Sequence, residues 1–167
     1  MLIRLATFND IPFIMQLIAG VIPGMIASGN LQWDNTYPNA GVFTDDIAQG
    51  CLWVAEIDGL IAGVAAITTN QEPEYAQAGW DITETAIVTH RLAVTPRYRG
   101  LGIAAALLQQ AELEAVSRSI KTLRIDTNMH NQATQKLFPK LGYIFAGEIN
   151  LGFRPGLTFY CYEKRLD

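Results

Sequence analysis

The spacing of apolar residues along the chain changes period several times, and each change predicts an element. Leu2 to Ala6 reads as a short opening strand. Ile11 to Ser28 is uncharged over 18 residues, long enough to invite a membrane-span reading. Pro12, Gly20, Pro23 and Gly24 argue instead for two short buried helices, because proline removes an amide donor and clashes with the preceding turn. Asn9 or Asp10 is placed to cap the first, with Pro12 in its first turn. Asp10 ahead of the apolar run, with only Arg4 before it, also disfavours a secretory leader. Gly29 to Pro38 is a loop by composition. A short helix is expected through Val42 to Ala48, with Thr44 or Asp45 near its start.

Cys51 to Ile57 and Leu60 to Thr68 are β-rich runs joined by Asp58-Gly59, a hairpin signal because both residues tolerate positive φ. Asn70 to Asp81 is polar and reads as a loop. Thr85 to Val94 predicts a long strand, ended by Thr95-Pro96. A helix from about Gly100 to Ser117 follows, with Leu101, Ala104, Leu108, Ala111 and Ala115 on one stripe. Leu123 to Thr127 reads as a strand and Gln132 to Leu141 as a helix stopped by Gly142. Tyr143 to Glu148 and Leu157 to Lys164 close the chain as strands. With neither repeat nor linker, residues 1–167 read as a single α+β domain. Its mixed sheet is antiparallel at first, then takes one right-handed strand-helix-strand crossover through residues 85–127.

The chain has 167 residues, half of them hydrophobic and 17% charged, so it is neither disordered nor low in complexity. Only two cysteines, Cys51 and Cys161, are present, which excludes a disulfide framework and a zinc knuckle. Both are read as buried structural residues. A net charge of −4 argues against nucleic-acid binding. A cytoplasmic protein with no membrane partner is expected. Residues 1–90 hold one basic side chain against ten acids, whereas residues 91–167 hold eleven against six. That split suggests an anion site in the second half and a cationic partner for the first; an arbitrary scatter of solvated charges gives the same split.

A motif falls where the sign of the charge changes. In Leu92-Ala-Val-Thr-Pro-Arg-Tyr-Arg-Gly-Leu-Gly-Ile-Ala-Ala105 a strand ends and a helix begins, with Gly100 and Gly102 at the junction and Arg97 and Arg99 just ahead. Helix N-termini expose unpaired N–H groups and partial positive charge, and glycines let an anion approach the main chain. Arginines add attraction and can fork onto phosphate oxygens. A pyrophosphate-type ligand is the natural inference.

Two fingerprints compete for these residues. Gly100-x-Gly102-x-x-Ala105 with Asp126 further on matches a dinucleotide-binding pattern. The context departs from it, since five residues separate Val94 from Gly100 where the dinucleotide turn follows its strand directly. Arg97-x-x-Gly100-x-Gly102 resembles the acyl-CoA loop of the GNAT superfamily of N-acyltransferases. Asn131-Gln-Ala-Thr-Gln-Lys-Leu-Phe-Pro-Lys-Leu-Gly-Tyr143 is similar to that family's second signature, and the element order matches over nearly the whole chain.

The resemblance implies a mostly antiparallel sheet of about six or seven strands with about four helices and a splayed parallel pair at its centre. It implies acetyl-CoA as co-substrate, with no metal, and attack of a small-molecule or peptide amine on the thioester without a covalent enzyme intermediate. The amides of Arg99, Gly100, Leu101, Gly102, Ile103 and Ala104 would hold the pyrophosphate, with Arg97 and Arg99 nearby. Main-chain groups of Leu92 and Val94 would pair with the pantetheine arm, and the Val94 amide would serve as oxyanion donor. Asn131 would bond the pantetheine or position the helix after it. His90 would be the general base, a role that also fits a merely hydrogen-bonded strand residue, with Glu84 as runner-up. The family's proton-donating tyrosine falls on Phe138, which has no proton to give, so a non-catalytic acyl-CoA-binding regulatory module and a dinucleotide-binding oxidoreductase stay open as alternatives. Trp33, Asp34 and Tyr37 are candidate acceptor contacts, an aromatic-carboxylate set suited to an amine cation; Trp33 and Tyr37 could equally anchor their loop on the core. Monomer and homodimer are both compatible with the sequence.

Overall fold

A computed structural model describes residues 1–167. Seven strands form one sheet: β1 (Leu2–Leu5), β2 (Leu52–Ile57), β3 (Leu60–Thr68), β4 (Ile87–Val94), β5 (Thr122–Asn128), β6 (Ile144–Asn150) and β7 (Thr158–Arg165), in the order β1-β2-β3-β4-β5-β7-β6. Only β4 and β5 run parallel. The four α-helices are α1 (Ile11–Ala27), α2 (Ala40–Ala48), α3 (Ile103–Ser117) and α4 (Gln132–Lys140). The expected architecture is therefore the observed one.

α1 and α2 cover one face, where Ile14, Leu17, Ile18 and Phe43 pack on Val54, Val64 and Ala66. α3 and α4 cover the other, where Leu108, Ala111 and Phe138 pack on Ile87, Leu123 and Ile125. The segment between β3 and β4 folds back over the first face, its Tyr75 and Trp80 packing on Val88, Phe159 and Cys161. Cys51 and Cys161 are both buried and free.

The main departures from the sequence reading have local causes. Residues 11–27 form one helix, not two. Pro23 sits on its exposed side with Ala19 and Gly20, so the carbonyl that proline leaves without a donor is open to water. With the turn before it, this helix is long and apolar enough to cross a membrane by length and composition; here its apolar stripe is spent on the sheet. α2 begins earlier than expected because Asn39 caps it, accepting from the Val42 amide at 3.1 Å. Leu101 lies exposed before α3, and Ile103 and Leu107 take the buried stripe in its place. Gly63 lets α3 approach the sheet: a Cβ there would lie 2.6 Å from Ile103 Cγ2. The Asp58-Gly59 hairpin and the Gly142 stop occur as read, all three residues at positive φ.

Asp10 does not cap α1. Its carboxylate accepts from the Thr7 amide and from both terminal nitrogens of Arg4. Chiefly through the Arg4 bonds, its pKa falls from 3.8 to about 2. A pKa depressed in the folded state stabilises above the unfolded value and is lost as pH falls through the folded one. Asp10→Asn should therefore cost about 2 kcal/mol at neutral pH, from 1.36 kcal/mol per unit. Denaturation at pH 7 and near pH 2 checks this, the difference between variant and parent vanishing at the lower pH.

Candidate active site

β4 and β5 are paired only from Ile87–Leu123 to Thr89–Ile125. Beyond Thr89 they diverge, and β4 is deformed there. Val64 lies opposite Ala93 and Ala66 opposite His90, so Arg91 and Leu92 share the single Ala65. This is a β-bulge with Arg91 at φ 54. The Arg91 guanidinium holds the bulge to α2 by forking onto Asp46, with Nη2–Oδ1 at 2.7 Å and Nε–Oδ2 at 2.8 Å. Neither residue was singled out from the sequence, since 45 positions separate them.

The divergence opens a cleft of about 1320 Å³ between β4, β5, the start of α3, the end of α1 and the start of α4. That exceeds the roughly 300–1,000 Å³ of a site for one drug-sized ligand, leaving room for two reactants. Gly100 and Gly102 bend the main chain at φ 80 and 76, and a Cβ on either would meet open space. The amides from Gly100 through Ala105 donate to no group of the chain. Arg99 differs from expectation, as its amide is bonded to the Pro96 carbonyl. The unpaired run is thus shifted by one residue. At the positive end of α3 these N–H groups form an anion cradle. Arg99 lines the cleft, while the Arg97 guanidinium lies 5.3 Å from the Tyr98 ring centre. Leu92 and Val94 line the cleft on the edge of β4 that β5 has left.

His90 also lines the cleft. Its Nε2 lies 3.0 Å from the Asn70 carbonyl, which can only accept, so Nε2 carries the proton and Nδ1 is the basic atom. Burial, more than the bond to Asn70 offsets, lowers its pKa. Glu84 lies elsewhere, before β4, where it accepts from Thr122 and pairs with Arg124 and Arg165. Those bonds, Thr122 first, hold its carboxyl below the usual range. Asn131 caps α4 through the Thr134 amide at 3.3 Å and lines the cleft. Phe138 is buried against Tyr143 and Tyr162.

Trp33 is buried in the core with one side on the cleft, and Tyr37 lines it too. Asp34 does not; it turns its own loop by accepting from the Thr36 and Tyr37 amides. Two cleft groups have no part in the acyl-CoA reading, although Asp126 figures in the dinucleotide pattern. Glu72 enters from the β3–β4 connection, and Asp126 stands on β5. For Asp126 the available signal was an acid two residues after Arg124 inside the strand Leu123-Arg-Ile-Asp-Thr127.

The family model for the acetyltransferase (GNAT) family matches residues 26–143. N-acetylaspartate synthetase of Xenopus tropicalis is 27% identical over 114 residues, 68% of this chain but 38% of that protein. The chain thus spans well under half of that relative's length. A GNAT-family acetyltransferase from Streptococcus agalactiae superposes with a TM-score of 0.80 at 29% identity, covering 99% of this chain and 95% of that one. The yncA acetyltransferase of Salmonella typhimurium, solved with its cofactor acetyl-CoA, shares the fold with a TM-score of 0.68 at 17% identity, covering 100% and 94%.

Proposed function

Because the chain belongs to the GNAT family of acetyltransferases, we propose that it transfers an acetyl group from acetyl-CoA to a primary amine by direct attack. The run of unpaired amides from Gly100 to Ala105, opening onto a cleft where the sheet divides, carries the reading. A pyrophosphate fits that cradle, since both glycines leave open space on the side a Cβ would fill. The bare edge of β4 at Leu92 and Val94 would receive the pantetheine arm as an added strand. The Val94 amide would donate to the thioester oxygen. Bound acetyl-CoA supplies an activated acyl group. The chain's residues orient it, exclude water and accept a proton from the amine.

The acceptor would enter from the side of α1, past Trp33, Tyr37 and Glu72. Aromatic faces and a carboxylate favour an amine cation there. The aspartate in the name of the frog relative makes amino acids the first acceptors to screen, followed by small polyamines and peptide N-termini.

Calorimetric titration is expected to give micromolar binding of acetyl-CoA and no heat with NAD. Acceptors are then screened by thiol release. Absence of acetyl-CoA binding would overturn the reading. One observation favours a second reading. Phe138 gives the departing thiolate no hydroxyl, so acyl-CoA binding with no amine-stimulated thiol release would mark a regulatory module instead. A thiolate with a free pKa of about 8.5 leaves without such help, which keeps the catalytic reading first.

A further inference from the structure

We propose that Asp126, held in place by Tyr75, is the base that takes the proton from the acceptor ammonium. This rests on the acetyl-transfer reading above. The strand register gives Asp126 its place. Val88 lies opposite Arg124 in the parallel pair. Two residues further along each strand, His90 and Asp126 project to the same face on either side of the gap. That face carries α1 and the acceptor side of the cleft, and both residues line it.

The carboxylate is built in rather than incidental. Tyr75 is fully buried, and its hydroxyl donates to Asp126 Oδ2 at 2.5 Å. Burial pushes the Tyr75 phenol well above its ordinary pKa, so it stays protonated and remains a donor. No other side chain donates to Asp126, and Oδ1 stays open to the cleft. One oxygen is anchored and the other is free to accept. Tyr75 bonds to it and Cys161 lies opposite it on β7, while Glu72 from the β3–β4 connection and His90 across the gap line the same cleft. Arg124, two residues earlier, is taken up by Glu163 and Glu84. No cation therefore neutralises Asp126, and burial raises its pKa from 3.8 to about 6 against the opposing bonds from Tyr75 and its own amide. Such a carboxylate is ionised at neutral pH yet more basic than an exposed one. His90 is less suited, because burial and the adjacent Arg91 cation lower its affinity for a proton.

The proton balance closes. The ammonium gives one proton to Asp126 Oδ1, and the freed nitrogen pair forms a C–N bond with the thioester carbonyl carbon. The C–S bond breaks with its pair on sulfur, and a second nitrogen proton neutralises the thiolate. Asp126 then returns its proton to solvent, leaving an amide, a free thiol and one proton.

Asp126→Asn keeps the shape and the Tyr75 bond. It is expected to lower kcat/KM by about 10²–10⁴-fold, the usual worth of a general base. Acetyl-CoA affinity should not change, and the thermal midpoint should not fall, because the neutral amide relieves the cost of a buried charge. The wild-type rate should fall below about pH 6, and that limb should vanish in Asp126→Asn but persist in His90→Gln. Tyr75→Phe removes a bond that favours the carboxylate, so its limb should move to higher pH. Undiminished activity in Asp126→Asn overturns the proposal, as does a limb lost only in His90→Gln. Carboxyl-carbon NMR of the free protein, assigned against Asp126→Asn, needs no substrate. Titration near 6 supports the base, and titration near the ordinary Asp value of about 4 overturns it. Failure of every amine to react with the wild-type protein would count against the acetyl-transfer reading, while the NMR titration still judges Asp126.

Discussion

Arg124→Ala is expected to destabilise the protein by about 3–5 kcal/mol, the cost of breaking a buried ion pair by removing one partner. The Arg124 side chain is 1% exposed. It donates to Glu163 at 2.9 Å, Glu84 at 3.1 Å, the Gln71 side chain at 2.6 Å and the Asp81 carbonyl at 2.9 Å. It also lies 4.9 Å from the centre of a Trp80 ring. These partners come from β7 and from the connection that carries Tyr75 and Glu72, so one guanidinium fixes that connection to the sheet. Its loss strands the Gln71 side-chain oxygen without a donor and leaves Glu163 only the exposed Arg165. At roughly 2–4 °C per kcal/mol for a chain of this size, the thermal midpoint should fall by about 10 °C. Arg165→Ala is the control. Its side chain is 59% exposed and also meets Glu84 and Glu163, and removing it should cost no more than about 1 kcal/mol. Equal losses in the two variants would show that burial of Arg124 is not what matters.

Gly102→Glu should weaken acetyl-CoA binding at least about 100-fold, a loss of roughly 2.7 kcal/mol. Gly102 is the residue before α3, at φ 76 with open space where a side chain would start. The fold can therefore accept the substitution at the local cost of a left-handed residue, about 1–2 kcal/mol. The cradle cannot, because a carboxylate beside the amides of Gly100 to Ala105 both repels a pyrophosphate and competes for its donors. Gly102→Ala carries the backbone cost without the charge and should lose much less affinity. Calorimetry on the pair separates strain from charge, and unchanged affinity in Gly102→Glu would remove the anion site from these residues.

Elements whose ends are written in local chemistry were legible in the sequence. Asp58-Gly59, Gly142 and the two glycines before α3 announce their turns because each needs a positive φ. The strand-loop-helix motif likewise located the run of unpaired amides to within one residue. What the sequence hid is long-range pairing. Arg124 reads as an exposed charge until Gln71, Asp81, Glu84 and Glu163 are brought around it. Glu84 reads as a candidate base until Arg124 and Arg165 claim it. Asp126 reads as the acid of a dinucleotide pattern until Tyr75, 51 positions away, closes on it. Pro23 misled for another reason: it sits on the exposed side of α1, where the carbonyl it orphans faces solvent, and the helix runs through it.

The short pairing between β4 and β5 also has a mechanical side. Three registered positions join the two halves of the sheet, β1–β4 and β5–β7, and no strand-to-strand bonds hold them beyond Thr89. Such a joint works as a hinge, stiff along the strands and compliant to a scissoring of one half against the other. A guest that bonds to the bare edge of β4 and fills the gap acts as a rivet across it. Ligand occupancy should then be felt in the stiffness of the whole molecule, and slow hydrogen exchange on both flanks of the joint, far from any atom the ligand touches.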